Sequence, residues 1–362
     1  MDRPTVEIYE QQSARYEAQR TPRHHPQART FGQRVTEGRP ADLGCGPGWY
    51  TAELGQPAVA VDAALAMLRR TREVAPGCLP VQADLAALPF RRGALGGAWA
   101  RNTYVHLSSV DVPLALADLH RSLAVDGLIE ITLFGGEVEG RDVFPGDDLP
   151  GRWFSTWPHD RLEAVITGAG FALEELEVTT SPDGPGYTVR ARRDRKLPDT
   201  VGPAMRLLVC GLNPSLRAAD AGIGFVTPGN RFWPAALAAG LVTRDRDPRH
   251  ALLAHGVGMT DLVKRATPRA AELTRDEYRA GVERVDRLCA WLKPAAVCVV
   301  GLAGWRAAVD RHAGPGWQER RLGNRAVYVM PSTSGLNAAM SLSALTDHLR
   351  RAVQAPEPRT AA

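Results

Sequence analysis

The sequence predicts an α/β protein built from two three-layer α/β domains. Short apolar runs alternate with helical patterns along residues 39–195 and again along residues 205–353, an alternation typical of parallel sheets covered by helices. A charged segment with Pro and Gly separates the two series, and 362 residues suit two domains better than one. We therefore expect domains at 1–195 and 205–353, a linker at 196–204 and a disordered tail at 354–362.

Composition narrows the classes of function. The chain is 44% hydrophobic and 23% charged, which is ordinary for a globular protein. No apolar run approaches the ~20 residues that a membrane span needs, and the N-terminus lacks the apolar core of a secretory signal, so we expect a cytoplasmic protein without a membrane partner. The five cysteines have no CxxC spacing, which predicts buried thiols rather than a zinc site or an iron–sulfur cluster.

Charge is distributed unevenly along the chain. Residues 1–200 hold 22 Lys and Arg against 27 Asp and Glu, whereas residues 201–362 hold 22 against 13. The second half is therefore strongly basic, although the whole chain carries only +4. Because a basic domain attracts a phosphate backbone, this imbalance favours nucleic acid as the partner of the second half.

The first domain opens with a helical pattern at residues 6–20, which we expect Pro22 and Pro26 to end. Its first strand then runs into the sequence DLGCGPG, at residues 42–48. Glycines at such a turn let the backbone bend tightly and approach a ligand closely. Two further strand patterns end in acids, at Asp62 and Asp84, where a carboxylate can bind ribose hydroxyls or an adenine amino group.

This succession resembles the class I S-adenosylmethionine-dependent methyltransferases over residues 1–195. The resemblance implies a Rossmann-like fold with S-adenosylmethionine as the cofactor, its methionine end at the glycine turn and its nucleoside at the two later acids. The residues implied to bind the cofactor are Asp42, Gly44, Gly46, Gly48, Asp62, Asp84 and Leu85. The alternative is that these acids only cap helices or satisfy loops.

The methyl acceptor stays open at this stage. Enzymes that methylate exocyclic base nitrogens carry an (Asp/Asn)-Pro-Pro-Tyr-like loop after the fourth strand, where this chain reads RNTYVH and has no proline. This difference favours a small-molecule acceptor. Trp153, Phe154 and Trp157 could line its pocket or pack under the sheet, and we expect His106 to be structural rather than a general base.

Four short motifs mark the second domain: GLNPS at 211–215, FVTPGNRFW at 225–233, GMTDLV at 258–263 and MPSTSGLN at 330–337. In this order and spacing they resemble the mismatch-specific uracil/thymine-DNA glycosylases of the uracil-DNA glycosylase superfamily. The resemblance implies that superfamily's fold over residues 205–353. It also implies double-stranded DNA with a mismatched or damaged base as the partner, and neither a cofactor nor a metal for this domain.

Asn213 is the residue to which the resemblance assigns catalysis. Cleavage of an N-glycosidic bond needs little nucleophilic power if a water molecule is already oriented at the anomeric carbon of the sugar. The amide oxygen of Asn213 can accept a hydrogen bond from that water, while Pro214 stiffens the loop. The other interpretation of Asn213 is a turn residue before proline.

The same resemblance implies a base pocket and a wedge. Phe225 corresponds to the aromatic residue that stacks on the flipped base. The base-binding residues are Leu212, Phe225, Asn230 and Ser332, and the wedge that enters the duplex is Gly335-Leu336-Asn337. Asn230 either binds in the pocket or holds its loop, and Leu336 could instead be the first core residue of a helix predicted at 341–353.

Two departures from the family leave the preferred opposite base open. Ser332 and Thr333 stand where bacterial members often have Asn-Pro, and the wedge lacks the Ser-Arg that often follows it. We predict a DNA repair glycosylase that excises uracil or a related pyrimidine opposite guanine, fused to a methyltransferase-like domain. One alternative is a small-molecule methyltransferase whose second domain is degenerate or only binds DNA. Another is a glycosylase that keeps the methyltransferase fold for binding or regulation.

Overall fold

The computed structural model describes residues 1–141, 143–144, 146–181 and 184–355. They form two compact units, Met1–Asp194 and a second that begins at Arg195, and each has its own sheet. From residue 356 onward the predicted tail lies outside the described residues. Among the helices described, none is long and apolar enough to cross a membrane.

The first unit contains five α-helices and nine strands among its described residues. The helices are α1 Arg3–Ala18, α2 His25–Arg34, α3 Leu65–Val74, α4 Val112–Ser122 and α5 His159–Gly168. The strands are β1 Arg39–Leu43, β2 Val59–Asp62, β3 Leu79–Gln82, β4 Leu95–Arg101, β5 Leu123–Gly135, β6 Glu139–Arg141, β7 Trp153–Trp157, β8 Phe171–Ser181 and β9 Gly184–Arg193. Short 3₁₀ turns lie at Thr51–Leu54 and Tyr104–His106.

The strand order of this sheet is β3-β2-β1-β4-β5-β7-β6. Strands β1 to β5 are parallel, whereas β9 pairs antiparallel with both β5 and β8. The order reverses at β1, so the carboxyl ends of β1 and β4 flank the place where ligands bind in open parallel sheets. The prediction of a Rossmann-like α/β domain is confirmed.

The N-terminal helices differ from the expectation. Helix α1 ends at Ala18, but Pro26 does not close it; Pro26 is the second residue of α2 instead. Proline is tolerated in the first turn of a helix because the N–H it lacks would have no partner there. The same residue type therefore marks a helix start where we expected a helix end.

The second unit contains six α-helices and five strands among its described residues. The helices are α6 Leu216–Ala221, α7 Phe232–Ala238, α8 Pro248–His255, α9 Arg275–Leu292, α10 Leu302–Ala308 and α11 Leu342–Ala352. The strands are β10 Leu207–Gly211, β11 Val257–Asp261, β12 Ala296–Val300, β13 Gly316–Trp317 and β14 Ala326–Met330. The sheet order is β11-β10-β12-β14-β13, in which β13 alone is antiparallel to its neighbour.

Burial explains the apolar runs of this unit. Every residue of β10, β12 and β14 is buried, as in parallel strands covered on both faces. Phe232 and Trp233 of α7 and Leu345 and Leu349 of α11 pack against them in one core. Because β10, β11, β12 and β14 are parallel, the loops that follow β10, β11 and β14 leave the same edge of the sheet, which places three of the four motifs at that edge.

The segment predicted as a linker, 196–204, packs onto the second unit. Thr200 exchanges two backbone hydrogen bonds with Met259, and Asp199 is only 4% exposed. The carboxylate of Asp199 lies 2.8 Å from both Lys264 and Arg284. Burial alone would raise the pKa of Asp199, but the two cations outweigh it and lower that pKa.

Candidate functional site

The 211–215 loop is fastened to the chain that follows β11. The N–H of Leu262 donates to Gly211 O and that of Val263 to Leu212 O, both at 2.9 Å, and Thr267 N–H donates to Pro214 O at 3.2 Å. The side chain of Leu212 packs beside the start of α10, since a Cβ added to Gly304 would approach its Cδ2 at 2.7 Å. The loop thus has a fixed position relative to three strand ends.

The amide group of Asn213 has one defined orientation. Its Nδ2 donates to Arg265 O at 3.1 Å and to Thr267 Oγ1 at 2.7 Å, with a further contact to Pro214 O. Thr267 donates its own proton to Arg269 O, so the oxygen of Thr267 must accept from Asn213. Within the described chain no donor reaches Oδ1 of Asn213, which leaves that oxygen available to a ligand or water.

Phe225 lies beside this loop. Its ring stacks on the buried Phe232 with centroids 4.3 Å apart and planes inclined by 24°. A Cβ added to Gly211 would stand 3.5 Å from Cζ of Phe225, so the ring reaches the start of the loop that carries Asn213. Phe225 also has φ of 59°, a left-handed conformation that is strained for a side chain of this size. The structure therefore brings the predicted water-binding and stacking residues into one loop cluster.

A buried carboxylate, that of Asp261, completes this cluster. Asp261 ends β11 opposite Gly211, is 7% exposed, and has an Oδ1 2.3 Å from the position of a Cβ on Gly211. Only glycine leaves room for this carboxylate. Burial raises the pKa of Asp261 to about 6. The sequence motif GMTDLV contains this acid, but the apolar residues beside it in the sequence gave no indication of a functional site.

Two further predicted base-pocket residues hold their own loops. Asn230 Oδ1 accepts from Phe232 N–H at 2.9 Å, and Ser332 Oγ accepts from Ser334 N–H at 3.2 Å. The bond to Phe232 N–H agrees with the interpretation in which Asn230 holds its loop. The NH₂ group of Asn230 takes no part in that bond. The two loops are joined by the N–H of Arg231, which donates to Thr333 O at 2.9 Å.

Leu336 is the most exposed large apolar side chain among the described residues, at 96%. It lies in a turn before α11, not in that helix, which begins at Leu342 with Ser341 as its cap. The alternative that Leu336 is the first core residue of the helix is therefore wrong. Asn337 Nδ2 donates to Ser332 O at 2.9 Å, which closes the turn below the exposed leucine.

The glycine turn of the first unit forms a cleft after β1. Gly44, Gly46 and Gly48 have φ of 71°, 52° and 89°, so each occupies backbone space that other residues rarely adopt. A Cβ on Gly44 would collide with Thr103 and one on Gly48 with Thr71. A Cβ on Gly46 would meet only Tyr16, at 3.8 Å, so the backbone of Gly46 faces open space.

The acids predicted to bind the cofactor differ in how far they are exposed. Asp42 is 2% exposed, accepts from Thr51 Oγ1 at 2.6 Å, and burial raises its pKa to about 7. Burial likewise raises the pKa of Asp62 to about 6, although its two oxygens accept from Gly46 N–H and Ala64 N–H. The bond to Gly46 N–H holds the glycine turn and the bond to Ala64 N–H holds the loop before α3, so both belong to the loop-holding interpretation, while binding of a cofactor by these acids stays a prediction.

Asp84 and Leu85 contribute in different ways. Asp84 has a 43% exposed side chain and accepts from Ala86 N–H at 2.8 Å and from the amino group of Met1 at 2.6 Å. Leu85 is 1% exposed and belongs to the core. An open cavity of about 400 Å³ is lined by Asp42, Gly44 and Gly46, whereas Asp62, Asp84 and Leu85 are not among its lining residues.

Helix α1 and the residues directly after it supply lining residues that the sequence did not reveal. Tyr16 stacks on Trp49 with centroids 5.6 Å apart, and Arg20 lies 4.6 Å above the Tyr16 ring. Tyr16, Arg20 and Asn102 also line a second cavity of about 590 Å³, so the two cavities share a wall. A helical pattern at the N-terminus gave no signal of this role.

The second cavity is aromatic. Phe134, Phe144 and Phe154 lie around it with centroids 5.0 to 6.1 Å apart, and Phe144 meets each of the other two rings edge to face. Of the predicted aromatic cluster, Phe154 lines the cavity, whereas Trp157 is fully buried in the core. Because Arg20, Asp147 and Arg152 also line the cavity, it is suited to a small molecule that has both an aromatic and a polar part.

A hydrogen-bond chain lies on the floor of this cavity. His106 Nδ1 lies 2.7 Å from Trp153 O and so carries the proton, while Nε2 accepts from Tyr9 OH at 2.8 Å. Tyr9 in turn accepts from Arg152 at 2.6 Å. Burial lowers the pKa of His106 to about 4, so its imidazole is neutral near pH 7. His106 orients Tyr9, which agrees with the structural role expected of it.

The cysteines are mostly buried, and Cys45 is one of the residues that line the glycine-turn cavity. Four of the five free cysteines are buried, and burial raises the pKa of the Cys45 and Cys210 thiols well above the usual value. Within the described ranges, no group of three or more His, Cys, Asp or Glu residues is arranged to hold a metal ion.

Comparison with known proteins separates the same two parts of the chain. Residues 198–355 match the model of the uracil DNA glycosylase superfamily, and residues 41–127 match a methyltransferase domain model. Similar solved structures include three S-adenosylmethionine-linked methyltransferases. That from Methanosarcina mazei is 13% identical with TM-score 0.40, covering 45% of this chain and 96% of its own. That from Mesorhizobium loti is 20% identical with TM-score 0.40, covering 47% and 97%. The 1,6-didemethyltoxoflavin-N1-methyltransferase from Burkholderia thailandensis is 17% identical with TM-score 0.42, covering 53% and 88%.

Proposed function

We propose that this protein, which joins a methyltransferase domain to a domain of the uracil DNA glycosylase superfamily, excises uracil or a related pyrimidine mispaired with guanine in duplex DNA. The observation that carries the proposal is the fixed amide of Asn213 beside the ring of Phe225. A surface leucine at 96% exposure on the neighbouring loop supports duplex DNA as the substrate.

In the proposed reaction the N-glycosidic bond breaks with both electrons going to the base, a water molecule attacks the anomeric carbon, and the proton that this water loses passes to solvent or to the departing base anion. Because Nδ2 of Asn213 is committed to Arg265 O and Thr267 Oγ1, Oδ1 is the atom that accepts from this water and aims it. A neutral amide removes no proton efficiently and offers no charge to the sugar cation. We therefore expect a slow enzyme that depends on a good leaving base.

Stacking supports extrusion of the base. One face of Phe225 is covered by Phe232, so the other is the face that a flipped base can contact. Base–aromatic stacking contributes about 1–3 kcal/mol in single-strand binders, comparable to the few kcal/mol that unstacking costs. The basic character of residues 201–362, 22 basic against 13 acidic, favours the phosphate backbone.

The test is strand nicking by alkali after incubation with duplexes that hold G·U, G·T or A·U, and with single-stranded uracil. We expect the G·U duplex to be cut and Asn213→Ala to lose at least about 100-fold in rate, as when one preorganised group is removed from a transition state. Asn213→Ala that releases uracil at the parental rate would refute the mechanism. Parental protein that opens none of the substrates would refute the function.

For the first unit we propose S-adenosylmethionine binding. The residues present fit this cofactor: the backbone of Gly46 faces open space, Trp49 and Tyr16 supply aromatic faces, and Asp42 offers a buried oxygen. The bound cofactor would supply a methyl group on a sulfonium. Titration calorimetry with S-adenosylmethionine tests the proposal, and absence of binding to the full chain would exclude it.

A second candidate function, small-molecule methylation, is favoured by the aromatic cavity. It adjoins the glycine-turn cavity through Tyr16 and Asn102, and its volume of about 590 Å³ suits a small molecule rather than a duplex. The neutral His106 holds Tyr9 and does not act as a strong base, so the acceptor would bring its own nucleophilic nitrogen or oxygen. Labelled methyl transfer to metabolites with no nicking of any duplex would favour this function alone.

A further inference from the structure

One arginine holds the turn that carries the exposed Leu336. Arg231 lies immediately before α7, in the loop that also contains Phe225. Its backbone and guanidinium donors reach four carbonyl oxygens, those of Thr333 at 2.9 Å, Ser334 at 3.1 Å, Asn337 at 2.7 Å and Met340. These acceptors lie on both sides of Leu336, so Arg231 holds the turn from both ends, in addition to bonds within the turn such as that from Asn337 Nδ2 to Ser332 O.

The chemistry of this contact is specific to arginine. A planar guanidinium presents five N–H donors in a rigid fork and can serve several carbonyls at once, which a lysine ammonium on a flexible stem cannot do in the same geometry. In the part of the chain that the structure describes, no carboxylate lies within ion-pair distance of Arg231. Its two terminal guanidinium nitrogens are therefore directed at the turn and not shared with an acid, whereas its buried Nε has no hydrogen-bond partner among the described residues.

The same contact joins the turn to the loop of the candidate base pocket. A Cβ added to Gly335 would stand 3.0 Å from Gly229 O, so the two backbones touch. Arg231 lies two residues after Gly229 and directly before Phe232, and the ring of Phe225 stacks on that of Phe232. A displacement of the turn would thus be transmitted to the stacking ring.

We propose that Arg231 is a positioning residue that holds Leu336 ready to enter the duplex and couples that entry to the base pocket. The inference rests on the proposed function of the second unit. An apolar wedge must offset a few kcal/mol of unstacking. If the turn first had to become ordered, part of the free energy of binding would be offset by the loss of conformational entropy in the turn.

The experiment follows wedge entry without base excision. The full-length chain is mixed with a duplex that holds a tetrahydrofuran abasic analogue opposite guanine, next to a 2-aminopurine whose fluorescence rises when it is unstacked. The variants are Arg231→Met, Arg231→Lys, Leu336→Ala and the double variant Arg231→Met/Leu336→Ala. The matched control is Arg206→Met, because Arg206 also binds two backbone carbonyls, of His255 and Leu241, at the opposite end of β10.

We expect Leu336→Ala and both Arg231 variants to lose most of the fluorescence rise, and the double variant to lose no more than Leu336→Ala alone. Arg206→Met should keep the rise, and thermal melting should find all variants folded. On a G·U duplex, kcat/KM of Arg231→Met should fall about 10-fold. A full rise with Arg231→Met, an additive double variant, an equal loss with Arg206→Met, or no rise with the parental protein would overturn the inference. A normal pattern of rises without any base release would uphold it and refute the proposed function.

Discussion

Replacing the buried acid at the candidate base pocket, Asp261→Asn, should stabilise the second unit in a pH-dependent way. The carboxyl group has a pKa of about 6 in the folded chain against 3.8 for an unperturbed aspartate. Within the described residues no hydrogen-bond donor reaches its side chain, and the charges of Lys264 and Arg284 offset the effect of burial on the pKa only in part. A difference of about 2 pKa units corresponds to about 3 kcal/mol at pH values above both.

The sign follows from the raised pKa. Protonation of Asp261 favours the folded state, so its contribution is fully present below pH 3.8 and is lost as the pH rises through about 6. The parental unit should therefore lose up to about 3 kcal/mol between pH 4 and pH 7 that the asparagine variant keeps. The pKa of Asp199 is lowered instead, so the ionised form of Asp199 stabilises the fold at neutral pH. This stabilisation is lost only as the pH falls below the usual pKa of an aspartate.

Hydrogen exchange of the β10 and β11 amides, corrected for intrinsic rates at each pH, measures the effect within the full chain. We expect Asp261→Asn to be better protected than the parental protein at pH 7.5 and the advantage to shrink towards pH 4.5. Asp276→Asn, whose side chain is 89% exposed, should show no such pattern. An advantage of equal size at both pH values, or lower protection throughout, would refute the reasoning. Retention of a destabilising acid next to Gly211 is typical of functional sites.

Two further outcomes follow from the candidate sites. Thr267→Val removes the acceptor that orients Asn213, so it should lower kcat of uracil release about 10-fold with KM unchanged. Thr267→Ser keeps the hydroxyl and should retain activity. Equal losses in both variants would contradict the orienting role of Thr267. Gly46→Val places a side chain in the glycine-turn cavity at a position with φ of 52°. It should abolish S-adenosylmethionine binding measured by calorimetry and leave uracil release unchanged. Undiminished binding would exclude this cavity as the cofactor site.

Local patterns were sufficient to predict the architecture. The runs at β10, β12 and β14 are apolar because each is covered on both faces, and a run of that kind is visible in the sequence. The glycine turn was likewise visible, because a positive φ restricts the residue type. Pro26 misled the prediction, since proline is compatible with both the start of a helix and the chain after its end.

The contacts that orient the candidate site could not be predicted in the same way. Thr267 meets Asn213 and Arg231 meets Asn337 across 54 and 106 residues of sequence. Neither Thr267 nor Arg231 has a residue type that marks this role on its own. Such pairs depend on which strand ends lie next to one another, and that order is fixed only by the folded sheet.

The docking of α1 has a kinetic consequence for the first unit. Arg70 of α3 binds Glu17 and Ser13 of α1, and Tyr16 of the same helix forms a wall of the glycine-turn cavity. A molecule held in that cavity contacts Tyr16, so the strength of its binding depends in part on how firmly α1 is docked. Since the Arg70–Glu17 ion pair is partly exposed, added salt weakens it, and the residence time of whatever occupies the cavity should shorten as ionic strength increases.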